Sequence, residues 1–236
     1  MDEIQHSENT KSGEFIAVIA HQLRTPLSVI KFVADELLHE KALITERQRH
    51  KVQAIADAAE RALNLVNGLL NIAALPGAGA VPEFAECDLR ASFESVIDGL
   101  RPIAAAKNQR IVFSAPHDMP EVRVCNEYLT RAFQNILDNA IQYGDENSEI
   151  AVTLRQDERE YVAYVHNFGP AIPKEEIPNI FKKFHRLPEA EKIKPSGSGL
   201  GLFIAKAAVE LNGGRVWIAS EVEQGTTVYF TVPLGT

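Results

Sequence analysis

The stretch "AHQLRTPLSVI", residues 20–30, sets Pro26 inside what otherwise reads as a long amphipathic helix, five residues after His21. With Ile16, Leu23, Ile30 and Leu37 at heptad position a, Ile19 and Val33 fall at d, and Ala20, Leu27 and Ala34 widen the apolar stripe. His21 then falls at f. The apolar face can pack while the imidazole points to water, with Thr25 one turn further along the same exposed face. Pro26 takes a d slot and cannot donate to the Gln22 carbonyl, which predicts a bend and a freed acceptor next to the histidine. Taken alone, the stretch reads equally as a surface histidine on a kinked helix.

The helix should run over about residues 13–39, after a lead-in at 1–12. A second helix is expected at about 45–74, joined by a polar turn around "HEKALIT". In the second, Val52, Ile55, Ala59, Ala62, Val66, Leu69 and Ala73 repeat at a and d, with Ala56, Leu63 and Leu70 beside them. The pattern predicts an antiparallel helical hairpin. Two helices bury too little surface for stripes this wide, so a dimeric four-helix bundle is expected, with packing against the rest of the chain as the competing explanation.

"LPGAGAVPE" concentrates Pro and Gly without a period and marks a linker, placed at 76–87 between a helical domain at 13–75 and a second domain at 88–236. Helical patterns at about 89–106, 128–143 and 200–211 then interleave with strand-like runs. The clearest runs are "RIVFSA", "EIAVTLRQ", "YVAYVHN", "GRVWIAS" and "GTTVYFTVPL". Neighbouring strands near 150–167 and 214–233 suggest hairpins. The second domain should be an α/β sandwich: a mixed or antiparallel sheet with helices on one face, of the α+β class.

The formal net charge of −8 over 236 residues argues against a nucleic-acid partner. Cys87 and Cys125 lack metal-type spacing and read as reduced thiols of a cytoplasmic protein. No apolar run approaches the ~20 residues that span a bilayer, so no direct membrane contact is expected, and the polar start is unlike a signal peptide.

Three stretches bear on chemistry. "SGSGLGLFIAKAAVEL" places Gly197, Gly199 and Gly201 at the start of an amphipathic helix, where backbone N–H groups can approach phosphate, although neither a P-loop nor a Rossmann turn is present. "QNILDNAIQY" puts Asn135 and Asn139 at i and i+4, a pair of amide oxygens suited to Mg²⁺ or simply a solvated polar face. "VHNFGPAIP" ends a strand at Asn167 and turns through Gly169, either a plain turn or a place to hold a flat heterocycle.

The order of these motifs, a histidine before Arg-Thr-Pro, the Asn pair, "NFGPAIP", "IFKKFHR" and "GSGLGL", resembles the catalytic core of a sensor histidine kinase. That core is a dimerisation and histidine-phosphotransfer hairpin followed by a gyrase-type, Bergerat-fold ATP-binding domain. The resemblance implies ATP-dependent autophosphorylation at His21, transfer to an aspartate of a response-regulator receiver domain, and Thr25 holding water for dephosphorylating that partner. It makes Asn139 the Mg²⁺ ligand with Asn135 in support, and sets Tyr143 against the nucleotide. It places Asn167 at the adenine amino group with Gly169 opening that turn, and Phe181 and Phe184 as anchors of a mobile lid. Arg186 falls within reach of the γ-phosphate, and Gly197, Gly199, Leu200 and Gly201 lie in the loop closing over the phosphates. It also implies a homodimer, and the chain reads either as a cytoplasmic protein or as the cytoplasmic part of a longer sensor.

The chain departs from the family pattern at four positions. Gln22 stands where an acidic residue is usual, Asn167 where aspartate is common, Ala171 for a glycine and Gln142 for a basic residue. Gln22 can orient a proton but not take one. Two rival functions remain on sequence grounds: a docking scaffold that binds nucleotide without phosphorylating itself, and a clamp-type ATPase, against which "HQLRTP" on a hairpin argues.

Overall fold

The computed structural model describes residues 2–39, 45–73 and 82–234, so the expected turn at 40–44 and linker residues 74–81 lie outside it. The elements are α1 (Asp2–His39), α2 (Glu46–Ala73), β1 (Ala85–Cys87), α3 (Leu89–Ala105), β2 (Arg110–Ser114), β3 (Val122–Val124), α4 (Asn126–Tyr143), β4 (Glu149–Gln156), β5 (Glu160–Asn167), α5 (Pro188–Ile193), α6 (Gly201–Leu211), β6 (Val216–Glu221) and β7 (Gly225–Pro233). They form two compact units. One is built on α1 and α2 and takes in Lys194–Ser198; the other spans Pro82–Ile193 and resumes at Gly199.

In the first unit, Arg24 donates to Asn67 Oδ1, Lys31 lies 3.7 Å from Glu60, and Arg49 Nη1 donates to the Leu38 carbonyl. As the α1 position advances, its α2 partner recedes, which makes the pair antiparallel as expected. Small side chains form the seam: Ala20, Ala34, Ala56, Ala59 and Val66 are buried. The apolar stripe divides there. Ala20 and Ala34 face α2, whereas Ile19, Leu23, Ile30, Val33 and Leu37 at a and d stay 38–47% exposed within the single chain.

The first helix begins at Asp2 rather than near residue 13, and the expected lead-in is helical. No proline interrupts residues 2–12, and Gly13 alone costs about 1 kcal/mol against Ala, too little to stop a helix. Backbone helicity likewise continues across Pro26.

In the second unit a five-stranded sheet runs in the order β2-β4-β5-β7-β6, with β2 parallel to β4 and every other pairing antiparallel. This is the mixed sheet anticipated from the strand patterns. Alternation decides its faces. Ile150, Val152 and Leu154, Ala163 and Val165, and Val228, Phe230 and Val232 lie on the buried side. Phe93 of α3 stacks on Phe133 of α4 with ring centroids 4.2 Å apart, and both rest near Phe230 of the sheet. Helices therefore cover one face only. The other carries Tyr164, Tyr229 and Trp217 across adjacent strands.

Two short strands and one short helix were not anticipated. Ala85–Cys87, placed within the linker from sequence, pairs antiparallel with Val122–Val124. Three-residue strands carry too little alternation to be read. The six-residue α5 is likewise below any helical period. Among the described residues no helix is long and apolar enough to cross a membrane.

One buried amide ties two helices of the second unit together. Cys125, the N-cap of α4, makes no side-chain cap; instead Asn212 Oδ1 accepts its backbone N–H at 2.7 Å while Asn212 Nδ2 donates to the Ala208 carbonyl at 2.9 Å. Asn212→Ala should destabilise the second unit by about 1–3 kcal/mol, the cost of leaving a buried donor unmatched. Urea unfolding monitored by circular dichroism measures this, and an unchanged midpoint would mean that water replaces the cap.

Candidate nucleotide site

Helix α4 separates apolar from polar work by its own pitch. Leu129, Phe133, Ile136, Leu137 and Ala140 are buried, and Asn135 and Asn139 emerge half-buried on another side. The Asn135 amide is oriented by its own helix: Nδ2 donates to the Arg131 carbonyl at 2.9 Å, which turns Oδ1 outward. Helix α6 starts against these amides. A Cβ built on Gly201 would lie at ordinary contact distance, 3.4 Å from Asn135 Oδ1 and 3.7 Å from Asn139 Nδ2, so the first turn of α6 sits directly against the two amides.

The start of α6 is anchored by Leu200, whose side chain is fully buried and which makes no side-chain cap. The first N–H groups of a helix have no intrahelical acceptors and carry the positive end of its dipole. An anion is the chemical complement of such an end. Among the described residues no group of three or more His, Cys, Asp or Glu could hold a metal. Beside Gly201 the Asn135 amide presents its oxygen and the Asn139 amide its nitrogen; amide oxygens of such side chains fit a hard, mostly hydrated cation such as Mg²⁺, which takes few protein ligands.

A second edge of the site forms where α4 ends. Tyr143 is partly buried, which pushes its phenol pKa up, and the neighbouring Arg186 guanidinium, hydrogen-bonded to it, offsets part of that rise. Asn167, buried at the end of β5, donates through Nδ2 to the Phe168 carbonyl at 3.3 Å and keeps Oδ1 as an acceptor. The Phe168 carbonyl also accepts from Asp145 N–H at 2.7 Å, linking the turn to the residue just past α4. Gly169 passes so close that a Cβ there would stand 2.2 Å from the Tyr143 carbonyl oxygen. Tyr143, Asn167 and Gly169 therefore form one wall.

The third edge is the segment before α6. Phe184 has φ 61° and donates its N–H to the Gly199 carbonyl at 3.0 Å; Gly199 has φ 69°, and a Cβ on it would meet the His185 carbonyl at 2.9 Å. Phe181 is half-buried, whereas the Phe184 ring is 54% exposed. Arg186 also donates to the Ala190 carbonyl at 3.2 Å.

The second unit thus brings together Asn135, Asn139 and Gly201, then Tyr143, Arg186, Asn167 and Gly169, then Phe184 and Gly199. Gly197 falls in Lys194–Ser198, which belongs to the first unit. Of the remaining candidates on α1, Gln22 and Thr25 are exposed, and the His21 side chain lies outside the described residues. Sequence reading missed four residues that shape the site. Lys183 lies 4.8 Å over the Phe203 ring of α6, joining the pre-helix segment to that helix. His185 Nε2 is 3.0 Å from Glu176. Lys107 and Gln109 hold the end of α4, and no local motif marks either of them.

Two family models match the chain. Residues 11–77 match the His Kinase A (phospho-acceptor) domain, and residues 126–236 match the histidine kinase-, DNA gyrase B- and HSP90-like ATPase. The chain belongs to the sensor histidine kinases and carries their catalytic core. The sensor histidine kinase AruS of Pseudomonas aeruginosa is 34% identical over 240 residues, matching 99% of this chain and 24% of AruS. Full-length ShkA in complex with AMPPNP superposes with a TM-score of 0.70 at 26% identity, over 94% of this chain and 46% of ShkA. The histidine kinase ThkA in complex with the response regulator TrrA shares the fold, with a TM-score of 0.67 at 22% identity over 99% of this chain and 65% of ThkA. The chain therefore spans about a quarter of AruS and less than half of ShkA.

The close approach at Gly169 generates a direct test. Gly169→Ala drives a methyl group into the Tyr143 carbonyl and must part the β5 turn from α4. Nucleotide affinity should fall at least about tenfold while far-UV circular dichroism is retained. Titration with a fluorescent ATP analogue measures this, and wild-type affinity in the folded variant would disprove the shared wall.

Proposed function

We propose that the chain is the catalytic core of an ATP:protein-histidine phosphotransferase in a two-component pathway, with a phosphotransfer domain at 13–75 and an ATP-binding domain at 88–236. The observation that carries this reading is the start of α6 at Gly201, set directly against the amides of Asn135 and Asn139. ATP lies with its adenine against Tyr143, its 6-amino group donating to Asn167 Oδ1, and its phosphates toward Gly199 and Gly201. Asn139, supported by Asn135, would hold Mg²⁺, which neutralises charge on the phosphates when bound.

In the reaction, an imidazole nitrogen of His21 attacks the γ-phosphorus in line. An N–P bond forms as the bond to the β,γ-bridging oxygen breaks; ADP leaves, and the ring proton passes to water or a phosphate oxygen. Gln22 orients the imidazole or its proton and accepts none. Phe181 and Phe184 anchor the segment that closes over the triphosphate, and Arg186 leaves Tyr143 to reach the γ-phosphate. The phosphoramidate then passes to an aspartate of a response regulator. Thr25, exposed and one helical turn beyond His21 in sequence, holds a water for the reverse duty of dephosphorylating that partner.

The exposed stripe of Leu23, Ile30, Val33 and Leu37 supports a homodimer through the helical hairpin, because side chains of this size at a and d are stable when buried by a second pair of helices. A cytoplasmic setting agrees with two unpaired buried cysteines.

Incubation with γ-labelled ATP tests the proposal. Acid-labile, alkali-stable label should remain on the protein; a scaffold would bind nucleotide without labelling, and a clamp ATPase would release phosphate without labelling. His21→Gln should abolish labelling and leave Mg·ATP affinity unchanged, and Asn139→Ala should weaken Mg·ATP binding with the oligomeric state unchanged. Label retained in His21→Gln would place the acceptor elsewhere.

Gln22→Glu places a carboxylate next to His21 in sequence, where the chain carries a neutral amide. Initial labelling rates at saturating Mg·ATP between pH 6 and 9 should rise, with roughly 10²-fold as the ceiling for general-base catalysis. An equal or slower rate throughout would show that Gln22 acts by orientation alone.

A further inference from the structure

The last turn of α4 has an unusual amount of side-chain support. A helix ends with four carbonyls that lack intrahelical donors. Here Lys107 Nζ donates to the Ile141 carbonyl at 2.9 Å and to the Gln142 carbonyl at 2.7 Å. Gln109 Nε2 reaches the carbonyls of Ile141, Gly144 and Asp145 at 3.2, 2.9 and 3.1 Å. Gln109 is only 5% exposed. Both residues come from the tight connection between α3 and β2, where Asn108 takes φ 55° so that its neighbours turn under the end of α4. The Asn147 N–H closes the arrangement by donating to the Lys107 carbonyl at 3.2 Å.

This support lies behind the wall described above. Tyr143 is on the turn whose carbonyls Lys107 and Gln109 bind, and its own carbonyl is the atom that Gly169 abuts. Asp145, held by Gln109 through its carbonyl, donates its N–H to Phe168 beside Asn167. A cation at a helix C-terminus is favoured by the dipole as well as by hydrogen bonding.

We propose that Lys107 and Gln109 are positioning residues of the nucleotide site, a clamp that fixes the end of α4 before nucleotide arrives and so aligns Tyr143 with Asn167 and Gly169. The proposal rests on the ATP-binding reading. It adds that the base wall is preorganised by residues that touch no nucleotide. A preformed wall spares the ligand the ordering cost and acts on affinity rather than on the transferred group.

The clamp therefore predicts a split in kinetics. Lys107→Met should raise the KM for ATP and the Kd for Mg·ATP roughly tenfold, while kcat at saturating ATP stays within about twofold. Lys107→Arg, which can still donate to two carbonyls, should return both to within about threefold of wild type. Gln109→Leu should shift KM in the same direction as Lys107→Met. A residue with a merely structural part would lower the melting temperature and leave KM and Kd of the folded protein unchanged, and that result would overturn the proposal.

A second measurement uses the wild-type chain and does not depend on any variant folding. Hydrogen exchange of the Gly144 and Asp145 amides should be strongly protected without nucleotide and change little when Mg·ATP is added. Fast exchange that slows only on nucleotide addition would mean that the wall forms on binding and would also overturn the clamp. Wild-type Mg·ATP binding is the control: its absence would defeat the ATP-binding reading itself, whereas its presence with unaltered variants would defeat the clamp alone.

Discussion

The contact among Phe93, Phe133 and Phe230 governs the second unit. All three rings are fully buried, and the 4.2 Å stack of Phe93 on Phe133 locks the two long helices into one layer above the sheet. Such rings bring large apolar area together with a preferred geometry, so rotating α4 about its axis would forfeit both. That rotation is what the site cannot tolerate. Asn135 and Asn139 stand about 160° and 120° around the helix from Phe133 at 3.6 residues per turn. Burying the ring toward the sheet therefore commits the amides to the side where α6 begins.

Given that orientation, the remaining demands are for absent atoms. Gly169 lets the β5 turn reach the end of α4, and Gly225 lets β7 start against the Asn167 carbonyl, where a Cβ would stand 2.2 Å away. Each of these two glycines sits where two backbones must approach closely. The site is shaped less by the side chains it displays than by the places where side chains are missing.

Much of this could be read from the chain alone because period and chemistry coincide there. The eight-residue run at β4 alternates cleanly, and its limits were recovered residue for residue. The Asn135 and Asn139 spacing put both amides on one side of α4, and the glycines announced a close approach to something. Other features were illegible for physical reasons. Strand β1 is three residues long, with one buried position, and gives no alternation to detect. The a and d stripe of α1 implied burial without revealing that alanines, not the larger residues, form the seam with α2. Lys107 and Gln109 act on carbonyls more than thirty positions away, and a donor's acceptors leave no trace in the neighbouring sequence.

The outer face of the sheet has a practical consequence. The chain has a single tryptophan, and Trp217 stacks against Tyr229 at 5.1 Å with its ring within 3° of parallel, under the Arg215 guanidinium. It lies on β6, at the edge of the sheet and on the face opposite the helices, and it is 36% exposed. Intrinsic fluorescence excited at the indole band therefore reports the second unit alone, and reports its sheet rather than its nucleotide wall. Ellipticity at the helical minimum, in contrast, draws heavily on α1 and α2. The two signals give separate melting curves for the two units from one unlabelled sample, so their cooperativity, or its lack, can be observed without introducing any probe.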